Sequence, residues 1–214
     1  MLPKARTLWW LNTLLIVGWL ALIAITYWRM ELRFFTPAAR PAGAALLNPD
    51  MQPPAPRLHL HTDAGERRLQ GQFTLLNFWS PNCACSRFME PHMRELVLQF
   101  APRGVQFITV IVLSDPTQNG AKALRQWQQR GIPTPALVDA GGKLARAFGV
   151  WAAPAAVIVD PQGRIRFVGA YNIGRYCNNE QTAYAKLALQ ALLVGKRPPR
   201  THTPFYGCQT PPEP

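Results

Sequence analysis

Acidic side chains are scarce in this chain: 11 Asp and Glu stand against 23 Lys and Arg, a formal net charge of +12 over 214 residues. Cysteine is rarer still, with only Cys83, Cys85, Cys177 and Cys208. No internal repeat is visible, which excludes a repeat array. The basic residues are spread through linker, helices and tail without a clustered basic helix or a repeated aromatic-basic pattern, so the charge does not describe a nucleic-acid reader. It suits instead a domain held near anionic lipid headgroups.

Charge is missing altogether from Leu8 to Trp28, LWWLNTLLIVGWLALIAITYW. At a rise of about 1.5 Å per residue this stretch spans about 31 Å as a helix, the thickness of a bilayer core. Its polar members Asn12, Thr13 and Thr26 lie towards the ends, where Trp9, Trp10, Tyr27 and Trp28 suit the interfaces. Lys4 and Arg6 would also serve a cleaved signal peptide, but Trp28-Arg29-Met30-Glu31 follows in place of a small-residue cleavage site. The expectation is an uncleaved signal-anchor at 8–28 behind a cytoplasmic 1–7. Arg29 and Arg33 nearly balance the leading charges, so loop charge does not set the orientation. The thiols do: they place the domain outside the cytoplasm, where disulfides persist.

Residues 29–56 are rich in alanine and proline (Pro37, Pro41, Pro49, Pro53, Pro54, Pro56) and read as a spacer. A single domain is expected over 57–195, followed by a proline-rich tail at 196–214. Arg57–His61 and Arg67–Leu69 flank a turn at Asp63-Ala64-Gly65. Phe73–Trp79 and Gln106–Leu113 are nearly unbroken apolar runs, as in parallel strands buried on both faces. Helical spacing runs through Ser86–Phe100, with Pro91 inside it, and through Gln118–Arg130. A strand at Ala136–Asp139 and a short helix at Lys143–Phe148 follow. A hairpin of Ala155–Asp160 with Arg164–Ala170 and a closing helix at Asn178–Leu193 complete a mixed sheet covered on both sides.

Chemistry is expected where Cys83, Ala84 and Cys85 follow the apolar run Leu75–Trp79 and open a helix. Unpaired N–H groups and the helix dipole favour negative charge there, so a thiol at that point should ionise easily. Buried, inert cysteines are the plainer reading, but two crowded at one turn are hard to explain as packing.

These residues resemble the thioredoxin fold, and specifically the membrane-anchored bacterial thiol–disulfide oxidoreductases of the TlpA/ResA type. Asn77-Phe78-Trp79 matches that family's strand, Cys83 its attacking cysteine and Pro91 its helix proline. Phe148–Pro154 followed by Ala155–Asp160 resembles its loop-proline-strand segment. The resemblance implies an α/β three-layer α/β/α sandwich with a mixed central sheet, preceded by one transmembrane helix. It also implies that Pro154 is cis and lies against the active sulfur, where neighbouring backbone docks an extended substrate.

One departure stands out. The family's second cysteine falls on Ser86, and Cys85 comes one residue early. A serine cannot resolve a mixed disulfide. Three outcomes stay open: Cys85 resolves Cys83; Cys177 or Cys208 folds back to do so; or Cys83 and Cys85 hold a soft ion such as Cu(I), as a copper chaperone-like module would. A peroxiredoxin-like peroxidase is a further alternative, since Ser80 stands three residues before Cys83, although Leu76 replaces the expected proline. No acidic residue occurs in Phe73–Trp79, Asn77 standing where cytosolic thioredoxins keep a buried acid, so activation of Cys83 would rest on the helix terminus and Arg87.

The resemblance thus implies a thiol–disulfide oxidoreductase with Cys83, Cys85 and Pro154 as its site and Ser86, Arg87 and Trp79 in support. Cys177 and Cys208 are expected to form a structural bridge that ties down the tail. No metal or other cofactor is expected, and His92 is read as a surface residue. The partners would be protein thiols or disulfides and the lipid bilayer, with no nucleic acid. The location implied is the bacterial inner membrane, single-pass, with the domain in the periplasm.

Overall fold

A computed structural model describes residues 3–42, 44, 59–115, 117–174 and 179–210. They fall into two compact units, Met1–Thr36 and Pro37–Pro214. The first is helix α1 (Pro3–Met30), followed by a short 3-10 turn at Leu32–Phe35. Within α1, Trp9–Met30 is long and apolar enough to cross a membrane, with a mean hydropathy of 1.8. The hydroxyls of Thr13 and Thr26 donate to the carbonyls of Trp9 and Leu22, one turn back. Bonds of that kind let a polar side chain sit in an apolar helix.

The second unit opens on a hairpin, β1 (His59–Thr62) and β2 (Gly65–Arg68), turning at the Asp63-Ala64 position the sequence marks. Of the anticipated strand Arg57–His61, Arg57 and Leu58 lie outside the described residues. Next come β3 (Thr74–Trp79), α2 (Ala84–Phe100), β4 (Gln106–Leu113), α3 (Gly120–Gln128), β5 (Ala136–Ala140) and α4 (Lys143–Ala147). The two-residue β6 (Ala152–Ala153) precedes β7 (Ala155–Val159), β8 (Ile165–Gly169), α5 (Tyr184–Leu193) and a final short strand, β9 (Cys208–Gln209). The central sheet runs β5-β4-β3-β7-β8, with β3 parallel to β4, β4 parallel to β5, and β7 antiparallel to both β3 and β8.

The apolar runs make sense once both sheet faces are covered. Successive residues of a strand point to opposite faces. Leu75 and Trp79 of β3 therefore join one core with Met93 and Leu96 of α2, Trp127 of α3 and Leu189 of α5. Leu76 and Phe78 join a second core with Ala145 of α4, Phe148, Leu60, Leu69 and Phe205. This is the three-layer α/β/α arrangement with a mixed sheet.

Two stretches differ from the sequence reading. The closing helix begins at Tyr184, after a 3-10 turn at Glu180–Thr182 in which Asn179 accepts from the Gln181 N–H. More consequentially, the segment after α5 is a built part of the domain. Thr201–Thr203 runs along β8, with the Val168 N–H donating to the Thr201 carbonyl at 3.0 Å and the Thr203 N–H donating to the Val168 carbonyl at 3.2 Å. Gly169 permits this approach, because a Cβ there would lie 2.0 Å from the Thr203 hydroxyl oxygen. Phe205 is 0% exposed and meets Trp151 edge-on at 4.3 Å. Proline in a tail suggests a chain that cannot pair, yet Pro198 and Pro199 precede the pairing residues and Pro204 lies between them.

Phe205→Ala should cost roughly 3–5 kcal/mol, the usual penalty for emptying a buried phenylalanine site. Urea unfolding of the full-length protein in detergent checks this. A loss below about 1 kcal/mol would mean the ring is not part of the core.

Candidate active site

β3 is buried along its whole length, and its end at Trp79 fixes where the following loop, Ser80–Asn82, begins. The loop closes on the helix it feeds: the Cys83 N–H donates to the Ser80 carbonyl at 3.2 Å, and the Ser80 N–H donates to the Ser86 hydroxyl at 3.2 Å. Cys83 is the N-cap of α2, in extended conformation, with no side-chain bond to the helix amides. Its sulfur therefore sits at the positive end of a 17-residue helix.

That sulfur is bonded to Cys208, across 125 residues of sequence, with the two Cα atoms 5.8 Å apart. The expected Cys177–Cys208 bridge is accordingly corrected: Cys208 belongs to Cys83, and Cys177 lies outside the described residues. The cause is the path of the tail. With Phe205 seated in the second core, the chain needs only Tyr206 and Gly207 to bring Cys208 to the helix tip. Gly207 adopts φ +132°, and a Cβ on it would lie 2.2 Å from the Ala153 carbonyl oxygen.

Cys83 is 1% exposed. In the bridged state the sulfur expected to ionise easily is thus buried, bonded to the half-buried Cys208. The Cys83 sulfur lies 3.4 Å from the Ala153 carbonyl oxygen, next to Pro154, which is joined to Ala153 by a cis peptide bond. In the bridge there is no S–H; after reduction that carbonyl is placed to accept from the thiol.

Cys208 and Gln209 do more than deliver sulfur. They pair antiparallel with Ala153 and Ala152, and beyond them the Thr210 N–H donates to the Trp151 carbonyl at 2.9 Å. The Gln209 side-chain amide donates to the Ala39 carbonyl at 3.2 Å, and the Ala38 N–H to the Phe205 carbonyl at 2.8 Å. The tail thereby lies as a short strand along the backbone that leads into Pro154.

The remaining candidates lie on β3 and in the first turn of α2. Cys85, in the first turn of α2, is 1% exposed. Ser86, at the position of the family's second cysteine, is fully buried and holds the loop through Ser80. The exposed Arg87 guanidinium donates to the Pro81 carbonyl at 3.3 Å, so it braces the loop. Trp79 Nε1 donates to Glu90 at 3.1 Å, and its ring packs on Trp127. Burial raises the Glu90 carboxyl above its ordinary value, against the opposing pull of Arg130 and the Trp79 bond. The Ser80 hydroxyl is 3.3 Å from that of Ser114. Among the described residues no group of three or more His, Cys, Asp or Glu gathers.

Asn77 replaces a buried acid by a neutral network. Tyr171 donates its hydroxyl to Asn77 Oδ1 at 2.8 Å, Asn77 Nδ2 donates to Thr109 at 3.3 Å, and Thr109 meets Thr134 at 2.9 Å. A satisfied polar chain of this sort fixes the centre of the sheet. His92, expected at the surface, is instead buried against Tyr171, with Nε2 lacking a hydrogen-bond partner among the described residues.

Burial holds the His92 imidazole below its ordinary value despite Glu95, and it does the same to His202, with help from Arg40. Both rings take up protons less readily in the fold than in the unfolded chain, where protonation sets in as pH falls below about 6.5. The stability that depends on them is full above that value and declines as pH drops through it. Denaturant midpoints measured between about pH 8 and pH 5 should fall towards the acid end. The fall should be shallower in His92→Phe, and an equal slope would remove His92 from this account.

A helix-opening cysteine beside a cis proline, on a mixed sheet in three layers, defines a thioredoxin-like protein. The chain belongs to the family described as domain of unknown function DUF6436, whose match spans residues 57–211 and so includes Cys208. It is similar to the thiol-disulfide oxidoreductase ResA of Halalkalibacterium halodurans, 29% identical over 100 residues, which is 46% of this chain and 54% of that protein. ResA of Bacillus anthracis is likewise 29% identical, over 98 residues, 45% of this chain and 54% of that protein. This chain therefore spans about half the length of these relatives. Among solved structures, an uncharacterized conserved protein from Geobacillus kaustophilus matches with a TM-score of 0.66 at 22% identity, covering 79% of this chain and 94% of that one. StoA from Bacillus subtilis matches with a TM-score of 0.51 at 20% identity, covering 64% and 99%. These two likenesses speak for the fold.

Proposed function

We propose that this protein is a thiol–disulfide oxidoreductase that exchanges disulfides with partner proteins, with Cys83 as the attacking sulfur and Cys208 as the sulfur that resolves it. The observation that carries this reading is the Cys83–Cys208 bond at the N-terminus of α2, beside Pro154. Of the routes left open by the sequence, this favours the returning cysteine over Cys85. Once the bridge is opened, the Cys83 thiolate sits where helix N–H groups stabilise it, which makes it both a competent nucleophile and a good leaving group. Pro154 and the Ala153 carbonyl border the reacting sulfur. Ser86 and Arg87 hold the loop that aims it.

In the reduced protein the Cys83 thiolate attacks one sulfur of a partner disulfide, and the partner's other cysteine leaves as a thiolate. Cys208 then attacks Cys83 Sγ, expels the partner's first cysteine and restores the bridge. The partner gains two electrons and two protons, which this protein loses. The same bonds run in reverse when the partner is the reductant, the direction being set by the two potentials.

α1 would anchor the protein as a single-pass signal-anchor, with residues 1–7 in the cytoplasm and the thioredoxin-like domain in the periplasm. A disulfide built into the domain supports an oxidising compartment. The test is thiol trapping on purified full-length protein mixed with a reduced or disulfide-bonded model protein. Conversion of the Cys83–Cys208 pair should match partner conversion one for one. A bridge that stays intact while the partner is likewise unchanged, in both directions, would sink the proposal.

A further inference from the structure

Resting on that reading, we propose that the tail is the template for the substrate: the backbone at Trp151–Ala153 receives an extended polypeptide whose reactive cysteine is directly preceded by glycine. The tail segment Gly207-Cys208-Gln209-Thr210 occupies this edge now. Its cysteine is in register with Ala153, its next residue with Ala152, and its Thr210 N–H reaches the Trp151 carbonyl. An antiparallel strand added to an edge gains affinity from main-chain bonds and specificity from what each side chain meets.

What the residue before the cysteine meets is a wall. At Gly207 a Cβ would lie 2.2 Å from the Ala153 oxygen, 3.0 Å from the Ala153 carbonyl carbon and 3.1 Å from Pro154 Cδ. Two of these contacts are backbone and the third is a ring, so none can swing aside. The conformation is also one that side chains other than glycine rarely adopt. A partner that places its sulfur where Cys208 now places its own meets the same wall.

The present occupant is exchangeable once its covalent bond is open. Two residues of β-ladder are too few for an independent strand. Without the bridge, Phe205–Thr210 is held by non-covalent contacts alone, and a partner in the same register displaces it while Thr201–Thr203 stay paired along β8. The released Cys208 thus remains close enough to resolve the mixed disulfide after a partner has taken its place.

The experiment uses full-length Cys208→Ser in detergent, reduced, with two hexapeptides presented as mixed disulfides with 5-thio-2-nitrobenzoate. One peptide has the sequence of Phe205–Thr210; the other carries alanine in place of its glycine. Release of the yellow thiolate gives the rate, peptide mapping confirms attachment to Cys83, and the reagent disulfide without peptide measures the thiol's own reactivity. The glycine peptide should be captured about tenfold faster or more than the alanine peptide. Equal rates for the two peptides, with the reagent reacting normally, would overturn the template and leave the exchange function standing. A Cys83 that fails to react even with the reagent would overturn the exchange function and the template with it.

Discussion

Cys208→Ser should convert a catalyst into a trap. With Cys83 able to attack and nothing positioned to release the product, partner proteins should accumulate as covalent adducts on Cys83, visible as reductant-sensitive bands on non-reducing gels of membranes. Turnover with a model disulfide should stop after one equivalent. The comparison that gives this result its meaning is Cys85→Ala, which should turn over like the parent and trap nothing. Were Cys85→Ala the trapping variant and Cys208→Ser the active one, the resolving role would pass to Cys85. Cys208→Ser should also lose stability, about 2–5 kcal/mol as for other native bridges, because the bond closes a loop spanning 125 residues.

Cys83→Ser should remove exchange altogether, in either direction, to the uncatalysed level. Losses on removing a nucleophile reach about a millionfold in enzymes where it acts with a partner group. A hydroxyl at the helix tip gains nothing comparable from the dipole, since it does not ionise near neutral pH. The variant should keep its fold, judged by far-UV circular dichroism, although it forfeits the bridge. Retention of parental activity would place the chemistry elsewhere in the chain.

Most of the scaffold can be read from the residues. Apolar runs at 73–79 and 106–113 became β3 and β4 because two covered faces demand unbroken hydrophobicity. Helix α2 and the cis bond at Pro154 fell where the resemblance put them. The pairing of the sulfurs was not legible, for a definite reason. Connectivity depends on where a tail docks, and the docking signals here are single residues: Phe205 filling a core pocket, and Gly169 and Gly207 each omitting a side chain where backbone passes close. None of these has a periodicity. Two strands of two residues, β6 and β9, lie below the length at which alternation can be seen at all. His92 was misplaced for a related cause, since a lone polar residue on a mostly apolar helix face does not declare which way it turns.

The distance in sequence between the two sulfurs also sets a timetable for biosynthesis. Cys83 leaves the ribosome 125 residues before Cys208, a delay on the order of ten seconds at ordinary elongation rates. Throughout that interval Cys83 is without its eventual partner. Correct pairing therefore waits until Cys208 has been made, and chains cut short before it would be released with Cys83 lacking its partner.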